Sequence, residues 1–311
     1  MTKPVQPLTN NPAKLLKTRL NRFTRGLDGL ERGDVRGLHS VRVASRRMRE
    51  LVPVLQLASH AGRKLSKRLR KVTRRLGAVR ELDVLLLLID ELHVSRPIHQ
   101  SALRRVRIEV AAARDTARKK LRDRLSTDDL RRLQRKLSRT VDALAERQEE
   151  TTGERRDLAR AVQWAIDARI ARRAARFHQA IAAAGAVYLP ERLHDVRIAS
   201  KKLRYALELA EQQRGERNTP PVRALKRVQA LLGRMHDLQV LMERVREAQA
   251  SLTPPSLGAW RELNELVIAL EDMCRRLHAR YVRERVPLEA LTRRVGSTGA
   301  AARARGDRKV G

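Results

Sequence analysis

Cysteine occurs once in this chain, at Cys274, so no intramolecular disulfide can form. That fits a reducing compartment. Aromatic residues make up only 2% of the 311 positions. Proteins that hold single-stranded nucleic acid stack bases on aromatic rings, and Trp164, Phe177, Tyr188 and Tyr205 are scattered without forming such a platform. The densest apolar runs, residues 84–89 and 180–189, fall short of the roughly 20 residues a bilayer span needs. The opening MTKPVQPLTNNP lacks the apolar core of a secretory signal, and the sequence predicts a soluble cytoplasmic protein. Walker and HExxH motifs are missing, His236 stands alone in sequence, and the motif histidines have no Cys or carboxylate nearby at ligand spacing, so neither cofactor nor metal is expected. Acids are also scarce. Lys and Arg total 69 against 35 Asp and Glu, a net charge of +34. Such an imbalance makes a compact chain repel itself and invites a polyanion.

What is present is a duplication. Residues 38–49, LHSVRVASRRMR, match residues 193–204, LHDVRIASKKLR, with seven of twelve positions identical and an offset of 155. Internal repetition of this kind is read before local propensity. His39, Arg42, Arg46 and Arg49 step by three, four and three, which on an α-helix confines them to a sector of about 80°. His194, Arg197, Lys201 and Arg204 repeat that sector. The apolar stripe of Leu38, Val41, Met48, Val52 and Leu55 is centred about 120° away. The basic stripe thus flanks the buried face, as the wall of a groove between packed helices would. Two such stripes are costly side by side unless an anion lies between them.

The helix after each motif repeats too. Leu76 to Leu85, LGAVRELDVL, matches Leu232 to Leu241, LGRMHDLQVL, and Lys67, Arg70 and Lys71 match Arg223, Lys226 and Arg227. Arg74 breaks the pairing, with Ala230 as its counterpart. Gly77 and Gly233 occupy helix interiors, where glycine costs about 1 kcal/mol relative to alanine, and a close helix crossing is the expected reason. Acids such as Glu81 and Asp83 read as salt-bridged helix faces.

Taken in order, the sequence predicts helices over about 12–27, 34–59, 61–85, 97–124 and 128–149, then 154–187, 191–213, 222–250 and 257–285. Gly26, Gly29 and Gly33 end the first. Asp34 caps the second, Pro53 kinks or stops it, and Ser126 or Thr127 caps the fifth. The halves meet at Thr151–Thr152–Gly153, giving an N-terminal half over 12–150 and a C-terminal half over 151–290. Residues 1–11 and 296–311 read as flexible tails. No stretch alternates as a strand would.

The paired motif helices, each followed by a basic helix with LG…(D/E)L, resemble the CHAD family, the conserved histidine α-helical domain, over about residues 12–290. The resemblance implies an all-α fold of two four-helix bundles, related by pseudo-twofold symmetry around a central basic cavity. It implies non-catalytic binding of inorganic polyphosphate, often at polyphosphate granules. Carried over by position, His39, Arg42, Arg46 and Arg49 line one wall, and His194, Arg197, Lys201, Lys202 and Arg204 the other. Lys67, Arg70, Lys71 and Arg74, with Arg223, Lys226 and Arg227, add the second helices. The fused CYTH triphosphatase domain of many relatives, with its ExExK strand, has no counterpart here.

The charge alone also supports nucleic acid as a partner. The shortage of aromatics and the lack of a convincing helix-turn-helix argue against that alternative.

Overall fold

A computed structural model of the protein describes residues 12–92, 97–149, 152–253 and 255–307. Its helices are α1 (Pro12–Glu31), α2 (Val35–Leu51), α3 (Ser59–Glu91), α4 (Pro97–Arg124), α5 (Thr127–Glu149), α6 (Thr152–Ala184), α7 (Pro190–Arg214), α8 (Pro220–Ala250) and α9 (Leu257–Asp307). Among the described residues there is no strand, and the fold is all-α. The lead expected over residues 1–11 lies outside the described residues.

Local chemistry sets most of the boundaries. Asp34 accepts hydrogen bonds from the backbone N–H groups of Arg36 (3.0 Å) and Gly37 (3.1 Å), capping α2. Ser126 does the same for Asp129 at the start of α5, at 3.2 Å. Pro53 stops α2 early, in a 3-10 turn over Val52–Val54. Gly215 ends α7 with φ +69°. Helix α1 outruns its expected end at residue 27, and the chain turns at Gly33, with φ +77°.

Gly26 and Gly29 therefore lie inside α1, and packing explains them. A Cβ on Gly26 would meet Val41 Cγ2 at 2.9 Å, and one on Gly37 would lie 2.4 Å from backbone atoms of Gly29 and Leu30. These three glycines let α1 and α2 cross almost backbone to backbone. The crossing expected at Gly77 and Gly233 is absent. A Cβ on Gly77 would find only Arg42 Nε, at 3.9 Å, and one on Gly233 nothing within 4 Å.

The two halves share an order of neighbours. Helix α1 packs on α2, α2 on α3 and α3 on α4, while α5 returns to α1. Likewise α6 packs on α7, α7 on α8 and α8 on α9, and α9 itself returns to α6. One helix of 51 residues thus fills both places that α4 and α5 share. It runs past Arg285, the end expected from sequence, and past Gly296, where a tail was expected. The reason is the apolar spacing of Leu288, Leu291 and Val295, all buried in the core beyond Pro287.

The core does not divide at the repeat boundary. One cluster joins α1, α2, α5 and the first part of α3 to α6, α7, the first part of α8 and residues 281–295 of α9. A second joins the ends of α3 and α8 to α4 and the first part of α9, with Cys274 fully buried in it. Both clusters fasten one half to the other, and α2 meets α7 at that junction, with α3 beside α8.

Candidate functional site

Leu38, Val41 and Met48 on α2 and Leu193, Val196 and Leu203 on α7 are at most 4% exposed. Their burial pins each motif helix by one face. The neighbouring basic stripe is left at the edge of the core, with Arg42, Arg46, Arg197 and Lys201 each half-buried. A serine shared by both motifs holds the backbone beside it. Ser45 Oγ donates to Arg42 O at 3.0 Å and accepts from Thr73 of α3 at 3.2 Å, and Ser200 Oγ donates to Arg197 O at 2.9 Å.

The structure gathers the two stripes into one electrostatic cluster. Burial first, and then like charge, lowers the pKa of Arg42, Arg46 and Arg197 from the ordinary arginine value. Lys201 falls furthest, to about 7, through desolvation and the nearness of Arg197, Arg46 and Arg42. Across from them stand the acids of the second helices. Glu81 acts on Arg42 and Arg197, and Asp237 acts on Arg197 and Lys201. Burial raises the pKa of Asp237 against the pull of those cations. Arg80 adds its charge to Arg42 and to His39. Five cations (Arg42, Arg46, Arg80, Arg197 and Lys201) thus face two acids.

Hydrogen bonding leaves the imbalance open. Among the described residues, the buried Nε groups of Arg42, Arg46 and Arg197 have no acceptor. A buried donor without a partner costs about 1–3 kcal/mol. Tyr205 lies between two guanidiniums, Arg46 at 5.0 Å and Arg204 at 4.8 Å from the ring centroid. His39 and His194 sit at the exposed rim. Partial burial, then Arg80, Arg42, Arg46 and Arg22, lowers the pKa of His39. His194 packs against His236, ring centroids 5.0 Å apart, and burial with Arg197 nearby drops His236 to about 4. His236, isolated in sequence, is thus part of the cluster. Among the described residues, no group of three or more His, Cys, Asp or Glu is placed to hold a metal ion.

Not every expected cation joins. Lys202 is exposed toward α6, its carbonyl accepting from Arg173 at 2.6 Å. Arg49 pairs with Glu50 at 3.8 Å. Arg204 is held by Gln229 Oε1 at 2.6 Å and by Glu208. Lys71 is exposed, and its charge acts on Asp129 at the start of α5. Arg223 and Lys226 bond to Asn218, in the loop before α8, at 2.7 and 3.0 Å. Lys67, Arg70, Arg74 and Arg227 are exposed. Arg70, Arg74, Gly77 and Glu81 fall on one stripe of α3 by their i, i+4, i+7, i+11 spacing, and Lys226, Ala230, Gly233 and Asp237 repeat it on α8.

Five of the residues in the cluster were not among the expected site residues: Arg80, Glu81, Tyr205, His236 and Asp237. The repeat carried a signal for four of them, since Glu81 aligns with Asp237 and Arg80 with His236. Tyr205 had none, because its counterpart is Glu50.

The family model for the CHAD domain matches residues 14–246, which takes in both motif helices and both second helices. The chain belongs to the CHAD family. Among solved structures, this CHAD protein is similar to the CHAD domain from the plant Ricinus communis, at TM-score 0.57 and 20% identity, covering 90% of this chain and 94% of that one. It is also similar to PptA from Streptomyces chartreusis, at TM-score 0.57 and 17% identity, covering 95% of this chain and 100% of that one. No curated protein matches the chain. The family match ends before α9 begins at Leu257, so the CHAD assignment rests on α1 to α8.

Proposed function

We propose that this CHAD-domain protein binds inorganic polyphosphate between α2 and α7 and carries out no chemistry on it. The observation behind the reading is the convergence of Arg42, Arg46 and Arg197, each with a buried guanidinium Nε that lacks an acceptor among the described residues. Phosphate oxygens satisfy such donors, and guanidiniums grip them bidentately. A linear chain of phosphates spans both motif helices at once and releases counterions as it enters. Gly77 and Gly233 fit this reading. They weaken their helices without serving a crossing, and the missing Cβ leaves space beside Arg42. His39 and His194 at the rim offer further donors. Cytoplasmic polyphosphate granules are the location this chemistry suits.

Nucleic acid is the competing reading, favoured by the charge of +34 alone. Tyr205 is buried between Arg46 and Arg204, and the exposed Trp164 and Trp260 stand on α6 and α9. Among the described residues, no stacking platform lines the groove.

The test compares two sets of substitutions. Arg42→Ala, Arg46→Ala, Arg197→Ala and Lys201→Ala empty the groove. Arg104→Ala, Arg105→Ala, Lys119→Ala and Lys120→Ala remove equal charge from exposed positions of α4. Binding of long-chain polyphosphate is measured at physiological salt in competition with single-stranded RNA. The groove set loses affinity by at least a hundredfold and the α4 set by less than threefold, with RNA a weak competitor. Equal losses, or RNA displacing polyphosphate at equal charge, overturn the reading.

A further inference from the structure

A second groove, of about 600 Å³, opens between the start of α3 and the length of α5. It lies apart from the motif helices, since Arg68, which lines it, is nine residues from Gly77 and about 180° around α3. Its floor is apolar, three leucines and three alanines: Leu57, Ala58, Ala61, Leu65, Ala143 and Leu144. Apart from Thr140, its rim is basic: Arg68, Arg132, Arg135, Lys136, Arg139 and Arg147. Not one acid lines it. Arg132 is paired with Asp129 at 2.9 Å, and Arg147 donates to Gln56 O. Arg68, Arg135 and Arg139 have no ion-pair partner among the described residues. Partial burial, then Arg68 and Lys64, holds the pKa of Lys136 below the ordinary lysine value.

The shape is that of a missing helix. Helix α5 presents Arg132, Arg135, Lys136, Arg139, Ala143 and Arg147 to the groove, spaced as one face over about 22 Å at about 1.5 Å per residue. Alanines on the floor permit close approach of another backbone. Leu65 and Leu144 are already buried in the core. The apolar surface left open is half-buried Leu57 with the exposed Ala58, Ala61 and Ala143, and polyphosphate has no apolar surface to cover it. The occupant must supply both an apolar stripe and flanking carboxylates. This chain's own segments do not qualify. Residues 1–11 contain no Asp or Glu, residues 308–311 are basic, and a second copy carries the same net charge of +34.

We infer that the α3–α5 groove is a docking site for an acidic amphipathic helix of a partner protein, its apolar face on the alanine floor and its carboxylates on the arginine rim. This is helix-in-groove recognition, with anchors at i, i+3, i+4 and i+7. It is independent of what the groove between α2 and α7 binds.

The test uses the full chain and a fluorescent 20-residue peptide with Leu at i, i+4, i+7 and i+11 and Glu on both flanks of that stripe. A scrambled peptide of identical composition controls for charge. The ordered peptide binds at least tenfold more tightly than the scrambled one. Arg135→Glu with Arg139→Glu weakens it at least tenfold, and Ala143→Trp, which fills an exposed floor position, does the same, while polyphosphate affinity changes by less than twofold. Because the only native cysteine is buried, an environment-sensitive dye on the Ala143→Cys variant reports occupancy locally, and it shifts with the ordered peptide alone. Equal binding of the two peptides, indifference to Ala143→Trp, or a dye response to polyphosphate or anionic phosphatidylglycerol vesicles but not to the ordered peptide overturns the proposal.

Discussion

Among the basic residues, Lys201 is the one whose charge is set by its neighbours at physiological pH. Desolvation and three guanidiniums hold its pKa near 7 against 10.5 for the ordinary side chain. A bound polyanion favours the ammonium, so binding takes up a proton above pH 7. Polyphosphate affinity should therefore fall as pH rises from 7 to 9, by at most tenfold per unit, and Lys201→Arg should remove the slope. Calorimetry in two buffers of different ionisation enthalpy checks this, because the heat of binding must differ between buffers for the native chain and coincide for Lys201→Arg. The unliganded fold obeys the opposite sign. A lowered folded pKa means the unfolded chain binds more protons between about 7 and 10.5, so this residue's contribution to stability grows as pH rises through that window. His236, held at about 4, is neutral throughout and contributes to neither slope.

At the scale of helices, glycine does two unlike jobs. Gly37 faces the backbone of α1 so closely that an added Cβ would lie 2.4 Å from it. Gly37→Ala must push α1 and α2 apart, and should cost about 2 kcal/mol or more in stability, measured as a lowered denaturation midpoint. Gly233 opens onto empty space. Gly233→Ala should raise stability by about 0.5–1 kcal/mol through helix propensity, while reducing polyphosphate affinity if that space holds ligand. A Gly37→Ala variant as stable as the native chain would refute the close crossing. Both classes look alike in sequence, as a glycine within an apolar helix pattern. Asp34, Ser126 and Pro53 were readable in advance because a cap or a stop needs only local geometry.

For the whole molecule, the scarce acids near the junction are spent on joining helices. Glu50 of α2 binds Arg169 (2.9 Å) and Arg173 of α6, and Glu208 of α7 meets Arg47 of α2 at 3.6 Å. These contacts neutralise the basic residues that border the groove, whereas Arg42, Arg46, Arg197 and Lys201 keep an excess of positive charge. A chain of net charge +34 assembled this way repels itself most where the two motif helices meet. A ligand that binds only the folded state stabilises it by mass action. Long-chain polyphosphate should therefore raise the Tm well beyond the rise from orthophosphate at equal phosphate concentration. Equal rises would mean charge screening without a groove. The effect should fade as salt increases, because the released counterions then gain less entropy.

The amino-acid sequence by itself determined the helical class, the duplication and which side chains share a stripe, because each follows from spacing along one helix. His39, Arg42, Arg46 and Arg49 needed only a period of 3.6 residues to be aligned. The same period kept α9 legible as a helix up to Arg285, but its last turns depend on Leu288, Leu291 and Val295 finding the core. What only the tertiary structure decided is which cations lose their water. Lys201 and Lys202 are adjacent in the chain, yet Lys201 turns to Arg42 and Arg46 across the junction, and Lys202 to solvent beside α6. Desolvation is a property of what packs opposite, not of the residue or its spacing. The same holds for Tyr205 and Arg80, which enter the cluster because two halves of the chain, 155 residues apart in sequence, fold against each other.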